Sequence, residues 1–209
     1  MEPFRIVLAL HAPIVLPDVV PRLDRLLHEA SCRLHRDWSV QHALPLAFDG
    51  ALGLYRASQL IMATTRASAI RAASYARPTR GQAMDLTVTR NPREFKISGS
   101  KFLQKAGQYK AYWPPYAVFY GEGDGRQCAR LLQLLDGIGR EHSAGMGRFE
   151  IVDVRAAGRA DAWQCRSLPP SCNPPWADTY HVLHDHEPLG VFGEPTPVIR
   201  PPRVIREVM

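Results

Sequence analysis

Two Gly-apolar-Gly units, Gly137-Ile138-Gly139 and Gly145-Met146-Gly147, stand five residues apart in this chain, and no other feature limits its fold so sharply. The residues between them, Arg140-Glu141-His142-Ser143-Ala144, include one arginine. A helical pattern, Arg126 to Leu135, runs into the unit, and a strand pattern, Phe149 to Val154, leaves it. Glycines this closely spaced permit positive φ and leave no β-carbon between the backbone and whatever approaches it. Successive amides can then face one concavity and hold an anion, with Arg140 adding a charge-assisted contact. The competing reading is a glycine-rich turn that simply joins helix to strand.

Other phosphate-binding patterns fail on specific residues. A dinucleotide fingerprint needs a third glycine where His142 stands and should open a helix rather than close one. A Walker loop needs Gly-Lys-Ser/Thr, which does not occur. The acetyl-CoA loop of acetyltransferases fits only loosely, because it wants a basic residue at position 142.

Charge sharpens the picture. The net charge is +6, yet residues 1–65 balance six arginines against six acids. Residues 66–112 hold ten basic residues against Asp85 and Glu94 alone, while residues 113–209 lean slightly acidic. All four lysines of the chain, Lys96, Lys101, Lys105 and Lys110, fall in that basic window, interleaved with Phe95, Phe102, Tyr109 and Tyr112 and followed by Trp113. Cations for phosphates beside aromatic faces for unstacked bases are the composition of a single-stranded RNA surface. A solvated basic face, or one turned toward an acidic partner, is the alternative.

Periodicity predicts a first strand over Phe4 to Leu10 and an amphipathic helix from Asp18, its cap, to Arg36. A second strand is expected over Leu52 to Met62. A basic hairpin follows, Met84 to Thr89 and Glu94 to Ser98 around Asn91-Pro92. Further strands are expected at Tyr116 to Tyr120 and Phe149 to Val154, on either side of the second helix. The order is β-α-β-(hairpin)-β-α-β, an α+β fold of the ferredoxin-like or RRM-like type. Residues 1–158 are read as one RNA-binding domain with an insertion at about 82–113. Residues 159–209, rich in proline, are read as an extended tail that packs on the core or on a neighbouring subunit. No signal peptide or membrane span is expected, and four scattered cysteines fit a reducing cytoplasm.

The glycine unit resembles, position for position, the glycine-rich loop of the RAMP superfamily, the RNA-binding proteins of CRISPR systems: Gly-apolar-Gly, five residues with at least one Lys or Arg, Gly-apolar-Gly. Together with the opening strand, the Leu23-Asp24-Arg25-Leu26-Leu27 segment and Tyr55-Arg56-Ala57-Ser58, it is similar to the small Csf-type subunit of type IV effector complexes. That resemblance implies a non-catalytic subunit that caps the five-prime handle of the crRNA. It also implies contacts with the large subunit and a backbone subunit, with target DNA reached through the complex and no cofactor. Carried over, Gly137, Gly139, Arg140, His142, Gly145 and Gly147 would meet handle phosphates. Arg90, Arg93, Lys96, Lys101, Lys105 and Lys110 would follow the RNA backbone, and Tyr109, Tyr112 and Trp113 would stack on bases.

Two alternatives stay open. Some RAMP proteins are metal-independent endoribonucleases that mature crRNA, and His28 and His35 on the first helix would be the general bases of such an enzyme. Cys165, Cys172, His181 and His184 could hold zinc, although the six residues between the cysteines exceed the usual spacing.

Overall fold

The computed structural model describes residues 2–16, 20–39, 42–64, 70–76, 108–157, 162–166, 180–184 and 196–198. In chain order the elements are β1 (Glu2–Leu10), β2 (Ile14–Val15), α1 (Leu23–His35), β3 (Phe48–Asp49), β4 (Leu54–Tyr55), β5 (Ile61–Thr64) and β6 (Arg71–Ala76). Then come β7 (Gln108–Trp113), β8 (Tyr116–Gly123), α2 (Gly125–Leu132), β9 (Phe149–Ala156), β10 (Tyr180–His184) and β11 (Thr196–Val198). The fold is α+β. A six-stranded sheet has the order β11-β10-β5-β8-β1-β9, and a three-stranded sheet has the order β2-β7-β6.

β1 lies between two antiparallel partners, β8 and β9. Its alternate residues Phe4, Ile6, Leu8 and Leu10 enter the main core with Leu23, Leu26, Leu27 and Ala30 of α1 and Cys128 and Leu132 of α2. Val7 points to the other face, where it joins Ile61, Ala63, Val118 and Tyr120. Both faces of β1 are therefore buried, which accounts for its nearly continuous apolar run.

The α1 helix begins later than its periodicity predicts. Arg22 is extended backbone, and the residues on either side of it are pinned: the Leu60 amide donates to the Pro21 carbonyl at 2.7 Å, and the Leu23 amide donates to the Ser58 carbonyl at 3.0 Å. Arg22 is the N-cap and supplies no side-chain bond, and Asp18 lies outside the described residues. A backbone carbonyl from a distant segment has taken the role expected of a capping side chain. At the other end Arg36 adopts the left-handed conformation that closes the helix. The second helix is capped conventionally, with the Asp124 side chain accepting from the Gln127 amide at 2.9 Å.

The strand expected over Leu52 to Met62 divides into β4, an irregular buried passage and β5. Residues 57–63 are all buried, so they offer no alternation. Ser58 is satisfied inside the protein, accepting from the Tyr120 amide at 2.8 Å and donating to the Gln59 carbonyl at 2.9 Å. The expected hairpin at 84–98 lies outside the described residues. What the structure does give is the pair that brackets it: β6 and β7 run antiparallel from Arg71↔Trp113 to Ala76↔Gln108.

Past residue 158 the chain returns to the core. Trp163 is 6% exposed and Arg166 only 2%. The Arg166 guanidinium donates to Asp24 at 3.2 Å and to the carbonyls of Tyr55 and Ala57 at 3.0 and 3.1 Å. β10 pairs in parallel with β5, and β11 pairs with β10. The proline-dense segment thus yields two strands: Tyr180–His184 is free of proline, and Pro197 sits in β11 at the end of the sheet order, where its missing amide costs least. Among the described residues no helix is long and apolar enough to cross a membrane.

Candidate nucleic-acid interface

The glycine unit is built into the core, and each glycine has a distinct reason. Ile138 is fully buried in the main core, and Met146 packs with Val15 and Ala111 in a small cluster of its own. The two apolar residues pull their flanking backbones inward. A β-carbon on Gly137 would stand 2.5 Å from the Met146 carbonyl, and one on Gly139 would stand 2.6 Å from that of Val15. On Gly147, at φ +64°, it would collide with the Ile138 carbonyl. Gly145, at φ +88°, is different: its nearest neighbour is the Arg148 guanidinium at 3.6 Å.

The amides are correspondingly committed. Ile138 donates to Gly147, Arg140 to Val15, Ala144 and Met146 to Glu141, Gly145 to His142 and Gly147 to Pro13, all between 2.7 and 3.3 Å. These bonds close much of the turn on itself and on residues 13–15. Side chains on its surface add to what an anion could meet. Arg140 and Arg148 are exposed and His142 is half-buried.

His142 is oriented from both nitrogens. Nδ1 lies 3.2 Å from the Gly139 carbonyl, so it carries the proton there, and Nε2 lies 3.5 Å from the Arg33 guanidinium. Arg33 in turn binds Asp136 at 2.9 Å and Glu29 at 3.0 Å. The hydrogen bond to Asp136 is the main cause that holds the Arg33 pKa above its ordinary value and the Asp136 carboxyl below its own. Through Arg33, α1 is fastened to the glycine turn.

β2 joins the turn to the basic segment. Val15 bridges Arg140 on one side and pairs with Ala111 of β7 on the other, next to Ile14↔Tyr112. The backbone order is Arg140, β2, β7, β6. The turn therefore lies two backbone segments from the strand that carries Tyr109, Lys110, Tyr112 and Trp113. Trp113 is 39% exposed, with its indole N–H donated to the Leu10 carbonyl at 3.2 Å. Tyr112 packs against Met62 and Ile70, and burial raises its phenol pKa, so it serves packing at least as much as any surface. Arg90, Arg93, Lys96, Lys101 and Lys105 lie outside the described residues.

The other expected residues sit elsewhere. His28 lies beside the buried Cys32 thiol at 3.7 Å, and His35 stacks on His42 with ring centroids 4.6 Å apart. Neither has a hydrogen bond to the glycine turn, and the contact from α1 comes from Arg33. Cys165 is half-buried, and its carbonyl accepts from the Gln59 amide. His181 and His184 lie on β10, opposite Ile61 and Thr64, and Cys172 lies outside the described residues. Among the described residues no three His, Cys, Asp or Glu side chains converge.

Sequence reasoning missed Arg148 and Arg33. Arg148 could have been found from its place directly after Gly147. Arg33 gives no signal beyond its spacing from Glu29, because its partners Asp136 and His142 are remote in sequence. On the sheet face turned away from the helices, Ala157, Ala162 and Cys165 pack on Val7, Ile61, Val118 and Tyr120, while Val152 of β9 stays 42% exposed. The chain matches no protein-family model, and no curated protein matches it.

Proposed function

We propose that this chain is a non-catalytic, RAMP-type RNA-binding subunit of a cytoplasmic CRISPR effector complex that caps the five-prime handle of the crRNA. In this reading it touches neighbouring large and backbone subunits and meets target DNA only through the complex. The observation that carries the reading is the pairing of β2 with Arg140 on one side and with β7 on the other. That pairing sets the glycine turn beside the stem from which the +8 segment leaves and to which it returns. A handle phosphate on Arg140 and Arg148 would then lie near the strand that carries Tyr112 and Trp113.

Topology supports the ferredoxin-like assignment. The strands β9-β1-β8-β5 are antiparallel neighbours, α1 lies in the connection from β1 to β5, and α2 in that from β8 to β9. This is the order expected of a doubled β-α-β unit. Because many functions share that arrangement, the weight rests on the turn and its neighbour strand.

The test is incubation of the purified protein with labelled repeat-derived RNA in EDTA, scored by gel shift and by cleavage. A salt-sensitive shift without cleavage is expected. A discrete cut abolished by His28→Ala or His35→Ala would make the chain the metal-independent crRNA-processing endoribonuclease instead. Absence of any shift at low salt would refute RNA binding.

A further inference from the structure

An open groove of about 450 Å³ lies between the C-terminal half of α1, residues 43–45 and α2. Leu34, Ala43, Leu44 and Leu131 supply its apolar wall, and His35 and Arg130 its polar edge. Leu34 is 56% exposed, an unusual position for a leucine on a helix whose other leucines are buried. Trp38, just past the helix, is 65% exposed. Arg130 is exposed and forms no ion pair among the described residues. Among the described residues no carboxylate lines the groove.

The two sites meet β1 at different ends. The turn adjoins the C-terminal end of β1, through His11–Arg148 and Pro13–Gly147 backbone bonds. The groove adjoins the opposite end: Pro45 accepts from the Asp124 amide, Leu46 bridges Gly123, and Gly123 pairs with Glu2. The helix α1 is common to both, since Arg33 reaches His142 and Asp136 while its neighbour Leu34 lines the groove.

We propose that this groove is a protein-docking site, and that its occupant is a short acidic-apolar segment of a partner protein. An aliphatic side chain of that segment would cover Leu34 and Leu131, and a carboxylate would pair with Arg130. Three features favour a peptide over an RNA strand. The wall is aliphatic, and the one aromatic ring among its described lining residues, His35, is already stacked on His42. The exposed apolar area calls for burial that a phosphate backbone cannot give. Arg130 is a cation that no carboxylate offsets among the described lining residues, so charge complementarity selects an acidic group there. The proposal does not rest on the RNA-binding reading.

Panning a random short-peptide display library on the purified chain tests it. Enriched peptides are expected to place Asp or Glu beside Leu, Ile or Met. Their synthetic versions should lose about tenfold in affinity or more on Arg130→Glu and on Leu34→Glu. Exchanging the peptide's acidic residue for Lys should recover binding to Arg130→Glu. Both substituted positions are exposed, and unchanged circular dichroism would show that the variants remain folded. No enrichment, or affinities indifferent to both variants, would overturn the proposal. So would displacement of the peptides by a uridine oligonucleotide, which would make the groove a nucleic-acid site. Because the readout is peptide affinity, a failure here leaves handle binding untouched, and the reverse holds.

Discussion

The amide of Arg140 donates to the carbonyl of Val15 at 2.8 Å, and the two residues form an antiparallel bridge. That single contact makes the glycine turn the outermost member of the second sheet, ahead of β2, β7 and β6. It gives Gly139 a structural purpose, close approach to the Val15 carbonyl, as Gly137 and Gly147 closely approach the carbonyls of Met146 and Ile138.

The glycines should therefore separate by substitution. Gly147→Ala drives a β-carbon into the Ile138 carbonyl at positive φ and is expected to cost about 3 kcal/mol or more of stability. Gly145→Ala meets only the mobile end of Arg148 and should cost about 1–2 kcal/mol from φ alone. Thermal or urea unfolding of the two variants measures this directly. Equal losses would mean that the turn is not packed as described.

Arg166 anchors the returning segment through Asp24 and two carbonyls. Desolvation outweighs the Asp24 attraction and lowers its pKa, so its charge is held at a cost that depends on those partners. Arg166→Met removes the buried donor from Asp24 and from the Tyr55 and Ala57 carbonyls, while Asp24 keeps Arg22 at 3.5 Å and the Arg25 amide at 3.0 Å, and should destabilise the chain by about 1–3 kcal/mol. Adding Asp24→Asn should recover part of that loss, which a double-mutant cycle would read.

Much of this was legible in sequence, and the failures have physical causes. β1, β9 and α2 follow from local periodicity, because each buries a regular pattern against its neighbours. The start of α1 does not, since its capping acceptor is the Ser58 carbonyl, contributed by backbone that no side-chain pattern reports. The second sheet escaped for a similar reason: β2 has two residues, and β6 pairs with β7 across the intervening 77–107. Four glycines marked where the backbone comes close, but not what it approaches. Three of them approach the carbonyls of Val15, Ile138 and Met146.

Acid stability should depend on Asp49 and Asp136. Asp49 accepts from the Leu52 amide and from Arg56, and Asp136 from Arg33, which lowers both carboxyl pKa values. A carboxyl that titrates lower when folded contributes stability above its unfolded pKa, about 3.9 for aspartate, and loses it as pH falls through the folded value. Urea midpoints should be insensitive to these two groups between about pH 5 and 7 and should drop below about pH 4. The drop should be shallower in Asp49→Asn.

Replacing Lys96, Lys101, Lys105 and Lys110 together by Ala should weaken binding of single-stranded RNA and flatten its salt dependence. The expected change in slope is about 0.7 for each lysine that meets a phosphate. An unchanged slope would assign the phosphates to other residues.

The most direct test is photocrosslinking of handle RNA carrying 4-thiouridine, with the crosslinked peptides mapped by mass spectrometry. A surface shared by the glycine turn and β7 predicts crosslinks from one RNA to both the Arg140–Arg148 stretch and the Tyr112–Trp113 stretch. Loss of the first set in the Arg140→Gln, Arg148→Gln double variant should accompany loss of affinity. Crosslinks confined to one stretch, or absent from both, would contradict a single interface joined through Val15.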